Sequence, residues 1–150
     1  MSTTKSITWQ DPVVNRSQTD IDGRTPHAYL NKGDLNRIEG NIKWLTDRLN
    51  EFLFFVQTQS KTNWKEEDIP ITDDIRRVCE NITEIKKKYY RPSGYTDVPN
   101  LENKNLHYTD VNLWETNLYL FKRLHDCMVD RFKKPSFKSG AKLLLLKGRK

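Results

Sequence analysis

Residues that commonly build catalytic or metal sites are scarce in this sequence. Its 150 residues include two cysteines, Cys79 and Cys127, and three histidines that lie far apart along the chain. The sequence has no paired-Cys or paired-His metal spacing, no glycine-rich phosphate loop and no nucleophile-elbow motif. Two cysteines are also too few for a disulfide framework, so we expect reduced thiols. We therefore predict no enzymatic activity, no catalytic or metal-binding residues and no cofactor.

Long hydrophobic runs are lacking as well. Only 35% of the residues are hydrophobic and the mean hydropathy is −0.83. No segment approaches the roughly 18 apolar residues of a membrane span, and the first residues lack the apolar stretch of a secretory signal. The sequence therefore predicts a soluble protein made in a cytoplasm, with no membrane span and with part of the chain outside any core.

Positive charge is concentrated at the C-terminus. The chain has 26 Lys and Arg against 20 Asp and Glu, but no acid follows the first of its last eight cations. The rest of the chain then has 18 cations and 20 acids, a net charge of −2. The eight cations are Arg131, Lys133, Lys134, Lys138, Lys142, Lys147, Arg149 and Lys150. They are candidate contacts for phosphates or for an acidic protein surface, or they keep the terminus soluble. Phe137 is the only aromatic residue among them, which weakens the case for a single-strand nucleic-acid binder.

Apolar residues spaced three and four apart predict helices over 34–56, 72–90 and 109–132. Asn31 or Asp34 is the expected N-cap of the first helix. Gly40 lies off its apolar stripe and indicates a close approach by another segment. The predicted fold class is all-α, a small three-helix bundle over residues 31–132. Because three heptads are present, a coiled coil between subunits stays open as an alternative.

Two arms flank this predicted bundle. Residues 1–30 are polar, contain two prolines and predict an extended N-terminal arm. Residues 133–150 form the basic C-terminal tail, in which 142–147 is the right length for a short strand. Leu143 and Leu145 in that segment are candidate interaction residues, since a strand without a partner in its own chain pairs with another chain or anchors through its leucines.

A continuous apolar run follows the first stripe. The predicted helix needs only Phe52 and Val56 for its stripe, so Leu53, Phe54 and Phe55 require cover. Connectors of the same chain and a second subunit are both open as the source of that cover.

Three stretches of the chain carry a family resemblance. Segment 29–45, with Asp34-Leu35-Asn36-Arg37-Ile38-Glu39, resembles the "LN..DLNRIE.N..YL" helix of structural proteins of tailed phages and prophages of Gram-positive gut bacteria. Residues 7–22, with Trp9 and Asn15-Arg16-Ser17-Gln18, are similar to the "W…DRTQ.DVD" stretch that often precedes that helix. Residues 107–115 resemble its "LTYTD.N.WE" segment, and 136–140 stand in for the "SG.F.SG"-like tail without its first glycine.

This resemblance implies a virion structural protein of the tail, baseplate or fibre-attachment region, made in the host cytoplasm. It would act as an adaptor that binds other virion proteins and further copies of itself. Asn36, Arg37 and Glu39 are expected to face away from the apolar stripe and to be free to bind a neighbouring arm or subunit. Trp9 and Arg16 lie in an arm expected to become ordered only on a partner. The alternative is a nucleic-acid-binding packaging or regulatory protein that uses the basic tail.

Overall fold

The computed structural model describes residues 7–25, 30–99, 101 and 105–133. They form a short helix α1 (Gln18–Asp22) and three long helices, α2 (Lys32–Glu51), α3 (Thr72–Lys88) and α4 (Tyr108–Lys133). These residues contain no β-strand, which confirms the all-α class for this part of the chain. The strand predicted at 142–147 lies outside the described residues.

Each long helix begins with an acid at its third position. The side chains of Asn31 and Asp34 exchange hydrogen bonds with each other's backbone N–H at 3.0 and 3.2 Å, so Asn31 caps α2. Asp74 accepts from the N–H of Ile71 at 2.8 Å, and Asp110 accepts from that of His107 at 2.9 Å. These carboxylates pair N–H groups that the helix leaves free and favour the positive end of the helix dipole.

The three long helices are parallel. Near their N-termini, Arg37 of α2 reaches α4 and Arg77 of α3 reaches α2 through ion pairs. At the opposite end, Phe52, just after α2, stacks on Phe132 of α4 with ring centroids 5.9 Å apart. Parallel neighbours require connections that run back along a whole helix, about 30 Å for the 20 residues of α2. Connectors 52–71 and 89–107 make these return paths, and their described residues contain neither helix nor strand.

The helices pack pairwise around one apolar core, and the predicted stripes supply it. Its most deeply buried members, each at most 1% exposed, are Ile38, Ile42, Leu45, Leu49, Val78, Ile82, Ile85, Trp114, Leu118 and Phe121. Burial of each such side chain contributes about 1.5–3 kcal/mol before chain entropy is subtracted.

The three long helices repeat one sequence pattern. Asp34, Asp74 and Asp110, each third in its helix, are 40 and 36 residues apart. An apolar residue follows each of them at the fourth, eighth and eleventh positions, and an asparagine at the seventh. The asparagines are Asn41, Asn81 and Asn117. Because the helices are parallel, equivalent positions lie at similar heights around the core, so the chain has an approximate internal threefold repeat.

The prediction that the first helix continues to residue 56 is wrong. Helix α2 ends at Glu51, and Leu53 and Phe55 have φ values of 64° and 57°. The side-chain amide of Asn50 accepts from the N–H of Val56 at 2.7 Å and donates to its carbonyl at 2.9 Å, which closes a tight turn. This turn starts the return path toward α3, so the apolar run 52–56 is not helical.

Candidate functional site

The long helices hold the extended segments with asparagine side chains. Asn41 accepts from the N–H of Gln10 and donates to its carbonyl, both at 2.9 Å. Asn112 makes the same pair of bonds to Arg16, at 3.2 and 2.9 Å. The side-chain amide thereby pairs one N–H and one C=O of the extended backbone, groups that a neighbouring strand would pair in a sheet. The two asparagines thereby fix the N-terminal arm between α2 and α4.

The two connectors are held in the same way. In connector 52–71, Asn81 binds the backbone of Gln59 at 3.2 and 2.6 Å, and Asn36 binds that of Trp64 at 2.9 and 3.1 Å. In connector 89–107, Asn117 binds Thr96 at 3.3 and 2.8 Å. With Asn50, all six asparagines of the three long helices make this double contact. Asparagine is a poor helix former, so tertiary contacts rather than local propensity explain these positions.

A buried carboxylate joins the arm to α2 and α4. Glu115 is fully buried and accepts from Arg16 at 2.8 Å, from Arg37 at 2.7 and 2.9 Å, and from the N–H of Val13 at 3.2 Å. Asp34 completes this cluster, 2.8 Å from Arg37 and 3.3 Å from Arg16. Burial disfavours the charge of Arg37, but hydrogen bonds and charges from Glu115 and Asp34 outweigh it and raise the Arg37 pKa.

A second buried carboxylate joins α2, α3 and connector 52–71. Glu39 is fully buried and receives two bonds of 2.9 Å from Arg77, together with bonds from the Trp64 indole and the N–H of Lys61. Arg77 also pairs with Asp74 at 2.9 Å. The pKa of Arg77 is raised, and its hydrogen bonds to Glu39 are the largest cause.

The two clusters occupy equivalent positions of the repeat. Each arginine is three residues after the N-terminal Asp of its own helix. Each buried glutamate is five residues after the N-terminal Asp of the partner helix, which is α4 for Arg37 and α2 for Arg77. At the third interface these positions hold Leu113 of α4 and Cys79 of α3. Because neither of these two residues carries a charge, the interface avoids the free-energy cost of a buried, unpaired charge.

A groove of about 410 Å³ runs along α3 beside connector 89–107, with Ile75, Cys79, Val98 and Leu101 among its lining residues. Arg76 of α3 stands at the position that Asn36 holds in α2 and Asn112 in α4, where each asparagine binds the backbone of an extended segment. Burial raises the pKa of the Cys79 thiol to about 11. Between α3 and α4, the described residues therefore contain no counterpart of the buried Arg–Glu pairs at the other two interfaces.

Both buried glutamates are saturated with donors and inaccessible to solvent. Their carboxylate oxygens already accept from arginine, indole or backbone N–H groups. In this arrangement the carboxylates crosslink chain segments, and their oxygens have no free approach for a ligand. Within the described ranges, no group of three His, Cys, Asp or Glu side chains is placed to hold a metal ion.

Several predicted interaction residues have partners within the chain. Trp9 packs edge-on against Trp44 at 5.7 Å between centroids. Ile7 lies beside Gly40, but a Cβ at position 40 would be 3.9 Å from it, an ordinary contact that does not require glycine. Asn36 and Arg37 contact Trp64 and Glu115 of the same chain. These contacts use donor and acceptor groups that the sequence suggested for a neighbouring subunit.

The two phenylalanines after α2 differ in their surroundings. Phe54 packs on Tyr89 and Tyr90 of the same chain, at 4.8 and 5.8 Å between ring centroids. Phe55 is 68% exposed. Connector 89–107 therefore covers Phe54, whereas Phe55 has little cover within the described residues.

The predicted residues of the basic tail are mostly beyond the described part of the chain. Lys133 is the last residue of α4. Lys134, Phe137, Lys138, Lys142, Leu143, Leu145, Lys147, Arg149 and Lys150 lie outside the described residues.

Comparisons with protein-family models, curated proteins and solved structures found no match for this chain. None of the helices in the described ranges is long and apolar enough to cross a membrane.

Proposed function

We propose that this chain is a structural protein of a tailed-phage virion and acts as an adaptor in the tail, baseplate or fibre-attachment region. One observation carries the proposal. The three stretches that resemble phage structural proteins supply the five side chains of the Glu115 cluster, namely Arg16, Asp34, Arg37, Asn112 and Glu115. A resemblance whose key residues meet in one buried cluster is supported more strongly than three separate similarities.

The form of the chain also supports an adaptor. Extended segments laid on the long helices are fixed by pairs of backbone hydrogen bonds, and this mode of contact works equally well between chains. We propose that the three helices and their connectors act as one small bundle, and that this bundle and the arms contact other virion proteins and further copies of this chain. The interaction energy would come from extended segments and exposed apolar side chains.

Mass spectrometry of purified, intact particles tests this proposal. The chain should be detected in a constant ratio to known tail proteins after nuclease treatment and gradient purification. A host cytoplasmic protein of similar abundance is the control for contamination. Absence from particles, together with a monomeric state at high concentration in light scattering, would contradict the proposal.

The charge of the C-terminal tail favours one second candidate, a nucleic-acid-binding packaging or regulatory protein. Eight phosphate contacts predict a slope near −7 for log affinity against log salt on duplex DNA. Binding with such a slope would support the second candidate, and no detectable binding at low salt would exclude it.

A further inference from the structure

Two strained residues hold apolar side chains in solvent at one end of the molecule. Leu53 and Phe55 have φ values of 64° and 57°, in the left-handed region that favours glycine. Their side chains are 48% and 68% exposed. Large side chains at such positions add backbone strain, and strain of this kind concentrates at functional sites. The turn itself is closed by Asn50, so it does not require a leucine or a phenylalanine here.

A third exposed side chain extends this surface. Phe54 lies between the two strained residues and contacts Tyr90, which is 59% exposed. We call Leu53, Phe55 and Tyr90 the end patch. It lies at the C-terminal ends of α2 and α3, opposite the buried charge clusters.

The chain leaves the described part of the structure beside the end patch. Phe132, one residue before the end of α4, stacks on Phe52, which directly precedes Leu53. Residues 134–150 follow, and four consecutive leucines occupy 143–146 between two lysines. Leu143 is ten positions after Lys133, and ten positions of extended chain reach at most about 33–36 Å. The leucines are therefore within reach of the end patch.

We propose that residues 143–146 cover the end patch of the same chain. The segment is apolar like the patch, and its tether begins next to it. Attachment through a linker of this length gives an effective concentration on the order of millimolar, well above that of a second copy in dilute solution. The contact would place the basic residues of the tail against the body of the chain, whose net charge is −2. This inference concerns the isolated chain and does not depend on a role in a virion.

Photocrosslinking of the full-length chain tests the contact. With p-benzoylphenylalanine at position 55, mass spectrometry should find crosslinks to residues 141–148. The matched control carries the same group at position 69, where Ile69 is 81% exposed, and should give none to the tail. A mixture of ¹⁴N- and ¹⁵N-labelled chains separates contacts within one chain from contacts between chains. Crosslinks only between differently labelled chains, or none to the tail, would overturn the proposal.

A second experiment measures cover rather than contact. The double variant Leu143→Ser with Leu145→Ser, and the pair Leu144→Ser with Leu146→Ser, are compared with Ile69→Ser. At least one tail variant should raise the fluorescence of a dye that binds apolar surface by about twofold, with unchanged helical circular dichroism. The Ile69 variant should not. Equal dye binding by all variants would contradict the proposal even if crosslinks form.

Discussion

Replacing Glu115 with glutamine probes the cluster that joins the arm, α2 and α4. The substitution keeps the shape of the side chain but removes its charge and turns one of its acceptors into a donor. Glu115 is fully buried and both oxygens accept from arginine, so either orientation of the amide sets N–H groups against a guanidinium. Arg16 and Arg37 would retain only Asp34 as an anionic partner in the cluster.

Removing one partner of a buried pair costs about 3–5 kcal/mol, because it leaves buried charge uncompensated. For a domain with 5–15 kcal/mol of total stability this is a large fraction, and a chain of this size would lose roughly 6–20 °C in melting temperature. Urea unfolding followed by circular dichroism at 222 nm measures the difference. The control is Glu51→Gln, since Glu51 is exposed and forms a surface ion pair with Arg48 on its own helix, so a change within about 0.5 kcal/mol is expected. A loss below about 1 kcal/mol for Glu115→Gln would refute the importance of the cluster.

Three further predictions concern other parts of the chain. Asn41→Ala should cost about 1–3 kcal/mol and speed amide exchange in the N-terminal arm, because both backbone groups it binds lose their partner, whereas the exposed Asn63→Ala should not. Burial lowers the His125 pKa below its ordinary 6.5, so the unfolded chain takes up a proton first, and stability should fall as pH drops below about 6.5. His125→Gln should flatten that slope. At pH 8 a thiol reagent should label exposed Cys127 quickly and Cys79 slowly, since burial raises the Cys79 pKa to about 11.

A defined result would contradict each of these three predictions. Equal exchange rates in the arms of the Asn41 and Asn63 variants would mean that the asparagine contact does not fix the arm. Identical pH slopes with and without His125 would show that its burial does not couple to folding. Simultaneous labelling of both thiols in the folded chain would contradict the burial of Cys79.

The apolar stripes of all three long helices could be predicted from sequence because their period matches a helix with one buried face. Ile38, Ile42, Leu45 and Leu49 lie on the predicted face of α2 and are all fully buried. The end of α2 could not be predicted in the same way. Residues 52–56 continue the helical period, and only the turn closed by Asn50 shows that the helix stops at Glu51.

The buried charges were harder to predict for a different reason. Arg37 and Glu39 flank the apolar stripe, where a charged residue is normally solvated. Their burial depends on partners far away in sequence, such as Glu115 for Arg37 and Arg77 for Glu39. A signal was present, however: aligning the three helices on Asp34, Asp74 and Asp110 places these charges at repeated positions.

The location of the chain in a particle tests the central claim most directly. A cryo-electron microscopy map of the phage should contain three parallel helices with the lengths of α2, α3 and α4 in the tail, baseplate or fibre-attachment region. Two return connectors should join these three helices. Side-chain density at the Arg16, Arg37 and Glu115 cluster would identify the chain. A complete map in which other proteins account for all of this density would contradict the proposed function.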